Sequence, residues 1–128
     1  MEAGVGGAER LGRLARRPTA ILAANDAMAM GALGGIVRSG LRCPEDIAVV
    51  GIGDPPYMAF AHPPITTVAL PVEEAGAQAA RSILERIETS GVRPRTEVFP
   101  YRLVVRASCG AAGFATDPAM PRPLRREG

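Results

Sequence analysis

The sequence predicts an α/β fold in which helices flank a parallel sheet. The first observation is that short apolar runs alternate with longer segments of helical periodicity. The second is that the runs at residues 19–24 and 47–52 are continuously apolar, as is typical of parallel strands covered on both faces. The third is that Pro and Gly residues separate these segments, where turns are required. Strands that alternate with helices form a doubly wound sheet with right-handed crossovers.

Each element follows from a local signal. Residues 1–7 are rich in Gly and Ala and are expected to be frayed, whereas Leu11, Leu14 and Ala15 recur at helical spacing before Pro18. The predicted helices cover residues 8–16, 25–39 and 71–90, with a single helical turn at 57–61. The predicted strands cover residues 19–24, 47–52, 66–70, 96–99 and 101–107.

The charge distribution argues against direct contact with nucleic acid. The formal net charge is +2, yet residues 18–109 hold eight Arg and nine acidic residues, which leaves −1 in that segment. The basic excess lies outside it, at Arg10, Arg13, Arg16, Arg17, Arg122, Arg125 and Arg126. A DNA-reading surface needs positive charge clustered on a folded face. We therefore predict that this chain does not itself bind DNA.

The two cysteines, Cys43 and Cys109, lie far apart in the sequence. Residues 1–17 lack the apolar core of a signal peptide, so we predict a cytoplasmic location and reduced thiols. Cys43 is expected to be a buried, inert thiol and Cys109 an exposed one. The most apolar window, residues 19–37, is interrupted by polar residues and predicts no membrane span.

No pattern in the sequence indicates catalysis. The single histidine, His62, has no evident nucleophile or acid partner, and one histidine with two distant cysteines makes no metal cluster. The Gly-rich segments at residues 4–7 and 51–53 do not stand between a strand and a helix, as a phosphate-binding loop does. We therefore predict no metal, no cofactor and no enzymatic activity.

Two polar pairs follow predicted strands and form the candidate site. Asn25 and Asp26 come after the first strand, and Gly53 and Asp54 come after the second. In α/β sheets, ligands bind outside the carboxyl ends of the strands, so the two pairs are expected to share one crevice. Asn and Asp are also preferred helix caps, but two adjacent side chains exceed what one cap needs. The sequence therefore predicts a polar ligand at this edge.

Four sequence blocks resemble those of a known family. They are Arg-Pro-Thr-Ala-Ile-Leu-Ala-Ala-Asn-Asp at 17–26, Pro-Glu-Asp-Ile-Ala-Val-Val-Gly at 44–51, Pro-Pro-Ile-Thr-Thr-Val at 63–68 and Leu-Val-Val-Arg-Ala-Ser at 103–108. In this order, they resemble the C-terminal part of the effector-binding region of LacI/GalR-type transcription regulators. The resemblance implies a partial C-terminal lobe of a periplasmic-binding-protein-like type I fold.

The chain is predicted to have three parts. Residues 1–17 are expected to form an N-terminal tail and short helix, and residues 18–109 a partial effector-binding and dimerisation lobe. Residues 110–128 are expected to be a disordered tail. The helix-turn-helix of the family has no counterpart in the sequence, so contact with DNA is expected only through that missing part.

The resemblance also implies roles for the candidate residues. It assigns Asn25 a hydrogen bond to the effector, commonly a sugar or purine, and leaves Asp26 as the helix cap or a supporting group. Related proteins usually carry an effector-binding Asp where this sequence has Gly53. Two alternatives remain for Asp54: it takes over this role, or it is a turn residue before Pro55.

The predicted second helix carries no charged residue between positions 27 and 37. A helix that is apolar all round must be covered on one side by its own sheet and on the other by something else. The second cover is either another layer of the same chain or a partner. We favour a homodimer surface, since so short a chain has few elements to spare and the family uses this region for dimer contacts. The predicted contact residues are Met28, Met30, Leu33, Tyr57 and Met58.

Taken together, these features predict a truncated effector-sensing and dimerising segment of a sugar-responsive regulator. One alternative is a solute-binding protein of a sugar transporter, which shares the lobed fold but needs an export signal. A second is a fragment that pairs with a full-length relative and impairs its dimer.

Overall fold

The computed structural model describes residues 1–111, and the last seventeen predicted tail residues, 112–128, lie outside the described part. The α-helices are α1 (Glu2–Gly12), α2 (Asp26–Arg38) and α3 (Val72–Glu88). The strands are β1 (Ala20–Leu22), β2 (Ala48–Gly53), β3 (Thr66–Ala69) and β4 (Arg102–Val104). Two short 3-10 helices span Pro56–Phe60 and Ala107–Cys109.

The four strands form one sheet in the order β1-β2-β3-β4. β1, β2 and β3 are parallel, with Ile21 opposite Val49 and Val50 opposite Thr66. β4 closes the sheet antiparallel to β3. This confirms the α/β prediction and adds one antiparallel strand to it. Because β1–β3 run the same way, their carboxyl ends meet at a single edge, as the site prediction requires.

Helix α1 packs directly on α2 through small residues. A side chain at Gly4 would collide with the carbonyl oxygen of Met28, and one at Gly31 with the carbonyl oxygen of Met1. Gly35 faces Val5 and Ala8 in the same way. The expectation that residues 1–7 are frayed was wrong, because their small side chains allow two helix backbones to approach closely. The second layer over α2 therefore comes from the same chain.

The core lies between α2, the sheet and the first 3-10 helix. Its largest fully buried apolar side chains are Ile36, Ile47, Val49, Met58 and Ile65. The 3-10 helix brings Met58 down onto the sheet, where the Met58 carbonyl accepts a hydrogen bond from the Ile65 amide at 3.0 Å. Tight packing of these few residues fixes the positions of the strand ends.

Helix α3 departs from this core. None of its seventeen residues is buried, and Ile83, Leu84 and Ile87 on it are 60%, 56% and 75% exposed. The segment after it contains no strand at residues 96–99, contrary to the prediction. Arg95 ties this segment to α3 through an ion pair with Glu85 at 3.2 Å. The polypeptide then returns to the sheet as β4.

None of the helices in the described part, residues 1–111, has both the length and the hydropathy needed to cross a membrane.

Candidate functional site

An open groove lies at the carboxyl ends of β2 and β3. Its volume is about 630 Å³, and it is lined by Gly53, Asp54, Pro55, Leu70, Pro71, Val72, Glu73 and Glu74. A second hollow of about 460 Å³ shares Asp54 and Pro71 with it and adds Tyr101 and Arg102. The groove thus stands where the fold rule places ligands, between the end of one strand and the start of the next helix.

Asn25 lies at the same edge, after β1, and is the N-cap of α2. Its backbone is extended, with φ −156°, and its Oδ1 accepts a hydrogen bond from the Met28 amide at 2.9 Å. This satisfies one of the free amides at the helix start. The side chain is exposed. Its amide nitrogen makes no hydrogen bond within residues 1–111, so a polar group remains at the surface of the edge.

Asp26 is not the cap but a buried brace. It is only 3% exposed, and its two carboxylate oxygens accept hydrogen bonds from different elements. Oδ1 accepts from the Thr67 hydroxyl at 2.7 Å, and Oδ2 accepts from the Asp54 amide at 2.5 Å. Gly51 and Gly53 make room for it, since a side chain at either would meet the carboxylate. Asp26 therefore joins the start of α2 to the ends of β2 and β3.

Asp54 adopts a left-handed backbone conformation, with φ 66°, and its carboxylate faces Arg106. The Arg106 Nη2 to Asp54 Oδ1 distance is 2.7 Å, and both side chains are less than one-fifth exposed. Arg106 also donates to the carbonyl oxygen of Ile65 at 2.8 Å. Asp54 is thus held by two interactions: its backbone amide donates to Asp26, and its carboxylate pairs with Arg106.

The C-terminal segment is locked into the sheet by two hydroxyl groups. The Ser108 hydroxyl donates to the Val49 carbonyl at 2.6 Å and accepts from the Thr66 amide at 2.8 Å. The Thr66 hydroxyl donates to the Arg106 carbonyl at 3.0 Å and accepts from the Arg106 amide at 2.8 Å. Every buried side-chain polar atom in the described residues has a partner. Such a fully paired network is rigid.

Sequence reasoning missed Thr67, Arg106 and Ser108. The two threonines at 66–67 stand in a run that otherwise reads as an apolar strand, and an Arg followed by Ala-Ser ends the last strand. Both were visible signals, because a polar residue in a buried strand needs a partner. The partner itself was not visible, since Asp26 and Thr67 are 41 positions apart.

The predicted dimer residues fall into three environments. Met58 and Leu33 are buried in the core of the single chain, at 0% and 6% exposure. Met28 and Met30 are partly buried against that core, and Tyr57 is exposed. The argument that α2 needed a partner to cover it was therefore wrong, because α1 covers it. Of the five, only Tyr57 offers a largely free surface; the dimer role itself remains a prediction.

Comparison with known proteins gives one family. A model described as a periplasmic binding protein-like domain matches residues 1–109. The HTH-type transcriptional regulator MalR of Streptomyces coelicolor is 41% identical over 99 residues, which are 77% of this chain and 29% of that protein.

Two solved structures with bound sugars also superpose well. A LacI family transcriptional regulator from Lactobacillus casei with bound sucrose has a TM-score of 0.72 and 29% identity, covering 84% of this chain and 40% of that one. A CelR–cellobiose complex has a TM-score of 0.78 and 37% identity, covering 84% of this chain and 33% of that one. The chain thus spans less than half the length of these relatives. It belongs to the periplasmic-binding-protein-like domain family and resembles part of the effector-binding region of LacI-type transcription regulators.

Proposed function

We propose that this chain is an effector-sensing segment of a LacI-type transcription regulator, with a sugar as effector. The observation that carries the proposal is the arrangement at the carboxyl edge of the sheet. Asn25 presents an exposed amide there, while the buried Asp26 and the paired Asp54 hold the adjoining turn rigid. A rigid edge with an available polar group suits recognition better than catalysis, since no nucleophile–base pair accompanies it among residues 1–111. The protein would act in the cytoplasm, where such regulators work.

The chemistry of this edge of the sheet fits a saccharide. Asn25 lies outside the residues that line the groove, but at the same edge its carboxamide offers both a donor and an acceptor, which is what a pair of sugar hydroxyls needs. Leu70, Val72 and the neighbouring prolines supply apolar surface for the C–H faces of the ring. Two relatives of similar fold hold sucrose and cellobiose.

We propose that the exposed apolar face of α3 packs against another part of a larger, two-lobed domain. The face consists of Ile83, Leu84 and Ile87, and leaving it in water is unfavourable. A regulatory switch requires two sites and two global states. The sheet edge described above supplies part of one site, and the DNA-reading part, which the relative's name places in a helix-turn-helix, would be separate.

We also propose that the regulator is a homodimer in contact through the first 3-10 helix. Tyr57 and Phe60 are 49% and 85% exposed, and aromatic side chains are enriched at interfaces. Sedimentation of the chain and of a Phe60→Ser variant tests this, because only the wild-type chain is expected to dimerise. Co-purification of a longer homologue in place of a second copy would instead favour the alternative that this chain pairs with a full-length relative and impairs its dimer.

The sugar proposal is tested with a variant that separates binding from folding. Asn25→Ser keeps a good N-cap but removes the carboxamide, so the thermal midpoint should stay near wild type. Saturation-transfer NMR with cellobiose, sucrose and a purine nucleoside as probes should show saccharide binding to wild type, weakened about tenfold in the variant. No saccharide signal, or an unchanged one in the variant, would refute the assignment of Asn25.

A further inference from the structure

The fold brings together two cysteines that are 66 positions apart in the sequence. Cys43 Sγ donates to the carbonyl oxygen of Ser108 at 3.5 Å, and Cys109 is the next residue. On the other side, a Cβ added to Gly110 would lie 3.7 Å from Cβ of Pro44, an ordinary contact. The segment at 43–44 therefore runs alongside 108–110, with Cys109 between the two contact points.

Both thiols lie beside a backbone carbonyl oxygen in this arrangement. Each cysteine is free and partly buried, and Cys109 Sγ lies 3.5 Å from the carbonyl oxygen of Arg106 within its own 3-10 turn. A disulfide needs Cα atoms about 4.4–6.8 Å apart, so it requires two segments in direct contact, as 43–44 and 108–110 are. The expectation of a buried Cys43 and an exposed Cys109 was wrong, because both residues are partly buried where their two segments meet.

We propose that Cys43 and Cys109 form a dithiol site that a small disulfide, such as oxidised glutathione, converts to an intrachain disulfide. In the first step the Cys109 thiolate attacks one sulfur of the oxidant, which forms a mixed disulfide and releases one small thiol. In the second step Cys43 loses its proton and its sulfur attacks Cys109, which releases the second small thiol. Two protein thiols are oxidised and one small disulfide is reduced.

The order of the steps follows from the state of Cys43. Burial raises the pKa of the Cys43 thiol to about 11, and the nearby Glu45 and Cys109 add to the effect. Cys43 is therefore a protonated thiol near neutral pH and a poor first nucleophile, since the thiolate is the reactive form. It serves as the resolving cysteine, activated only once the Cys109 sulfur has become electrophilic.

The bond would fasten the segment that braces the candidate site. Ser108 is adjacent to Cys109, Arg106 lies three residues before it, and Arg106 pairs with Asp54 at the groove. A cross-link across so long a loop also restricts the unfolded chain. Oxidation is therefore expected to raise the thermal midpoint and to hold Arg106 on Asp54 more firmly.

The test treats the folded chain with oxidised glutathione, alkylates the remaining thiols and maps tryptic peptides by mass. The expected product is peptide 43–81 linked to peptide 107–125, with the intact chain lighter by two hydrogens. Cys43→Ser is expected to stop at a glutathione adduct on Cys109. Cys109→Ser is expected to react far more slowly.

Three results would overturn the proposal. They are two glutathione adducts on one chain without a cross-link, cross-links only between chains, and equal rates of cross-linking in folded and urea-unfolded protein. The last comparison is decisive, because a bond that the fold promotes must form faster in the folded chain. The single-cysteine variants carry their own check, since their thermal midpoints show whether each remains folded.

Discussion

Replacing Asp26 by Ala removes the brace on which the edge of the sheet depends. The carboxylate accepts two hydrogen bonds, from the Thr67 hydroxyl at 2.7 Å and from the Asp54 amide at 2.5 Å. In the Asp26→Ala variant both donors lose their acceptor. Thr67 is fully buried, so its hydroxyl has no ready access to water as a replacement. A hydrogen bond to a charged group contributes about 1.5–3 kcal/mol, so the two together are worth about 3–6 kcal/mol. A domain with about 5–15 kcal/mol of total stability would be left marginal.

Asp26→Asn and Thr67→Val refine this estimate. The carboxamide keeps one acceptor, but its NH₂ group faces the second donor, so Asp26→Asn should cost about 2 kcal/mol. Thr67→Val removes one donor with little change of shape. In the Asp26→Asn/Thr67→Val double variant, the new NH₂ group no longer faces the Thr67 hydroxyl. The loss of stability in the double variant should therefore be smaller than the sum of the two single losses.

Urea unfolding of the purified chain, followed by far-ultraviolet circular dichroism, measures these free energies. The order of stability should be wild type, then Asn, then Ala at position 26. A loss below about 1 kcal/mol for Asp26→Ala would refute the reasoning, because it would mean that water replaces the carboxylate without cost. Strictly additive losses in the double variant would show that Asp26 and Thr67 are not coupled.

Two further outcomes are expected. Gly31→Val drives a side chain into the carbonyl of Met1 and displaces α1, so the free energy of unfolding in urea should fall by about 1–3 kcal/mol. Gly34→Ala has open space around it, so the same free energy should rise by up to about 1 kcal/mol. Raising the pH from 9 towards 11 should lower the thermal midpoint. The pKa of Cys43 is about 11 in the folded chain and 9.0 for an ordinary thiol, so over this range the folded chain keeps the proton while the unfolded chain releases it. Cys43→Ala should remove this slope, and an unchanged slope would show that another group causes it.

Most of the sheet could be predicted because its signals are local. The apolar runs placed β1, β2 and β3 to within about two residues at most ends, and the Pro-Pro turn placed the first 3-10 helix. β4 was found, but residues 96–99 were wrongly taken as a strand. Strand pairing is decided by a distant neighbour, and this segment has α3 rather than a strand beside it, with Gln78 of α3 bonded to Glu97.

Helix α1 shows why composition can mislead. Gly and Ala near the start of a chain suggest fraying, since Gly weakens an isolated helix by roughly 1 kcal/mol. Here the same residues allow close contact with Gly31 and Gly35, four positions apart on α2. That spacing was present in the sequence, yet its meaning required a facing helix. Packing outweighed propensity.

The structure places the predicted site residues at one edge of the sheet, but the sequence did not foresee how they are arranged there. The sequence placed Asn25, Asp26 and Asp54 near one another, and the Asp26 contact with the Asp54 amide confirms that proximity for the two aspartates. It could not say which of Asn25 and Asp26 turns inward, because either is a good cap. It also could not foresee Arg106, which comes 52 positions after its partner Asp54. Their effector contacts remain predictions.

The groove and α3 are mechanically linked. The chain leaves the sheet for α3 at Leu70 and Pro71, which line both hollows beside Asp54. It returns at Pro100 and Tyr101, which line the second hollow. A change in the direction of α3 must therefore move the walls on either side of Asp54, while the Asp26 and Arg106 contacts hold Asp54 itself in place. The sheet forms the base of the groove, and its sides come from the segment between Leu70 and Tyr101, which contains α3. A partner that packs on the exposed face of α3 would therefore also change the shape of the groove.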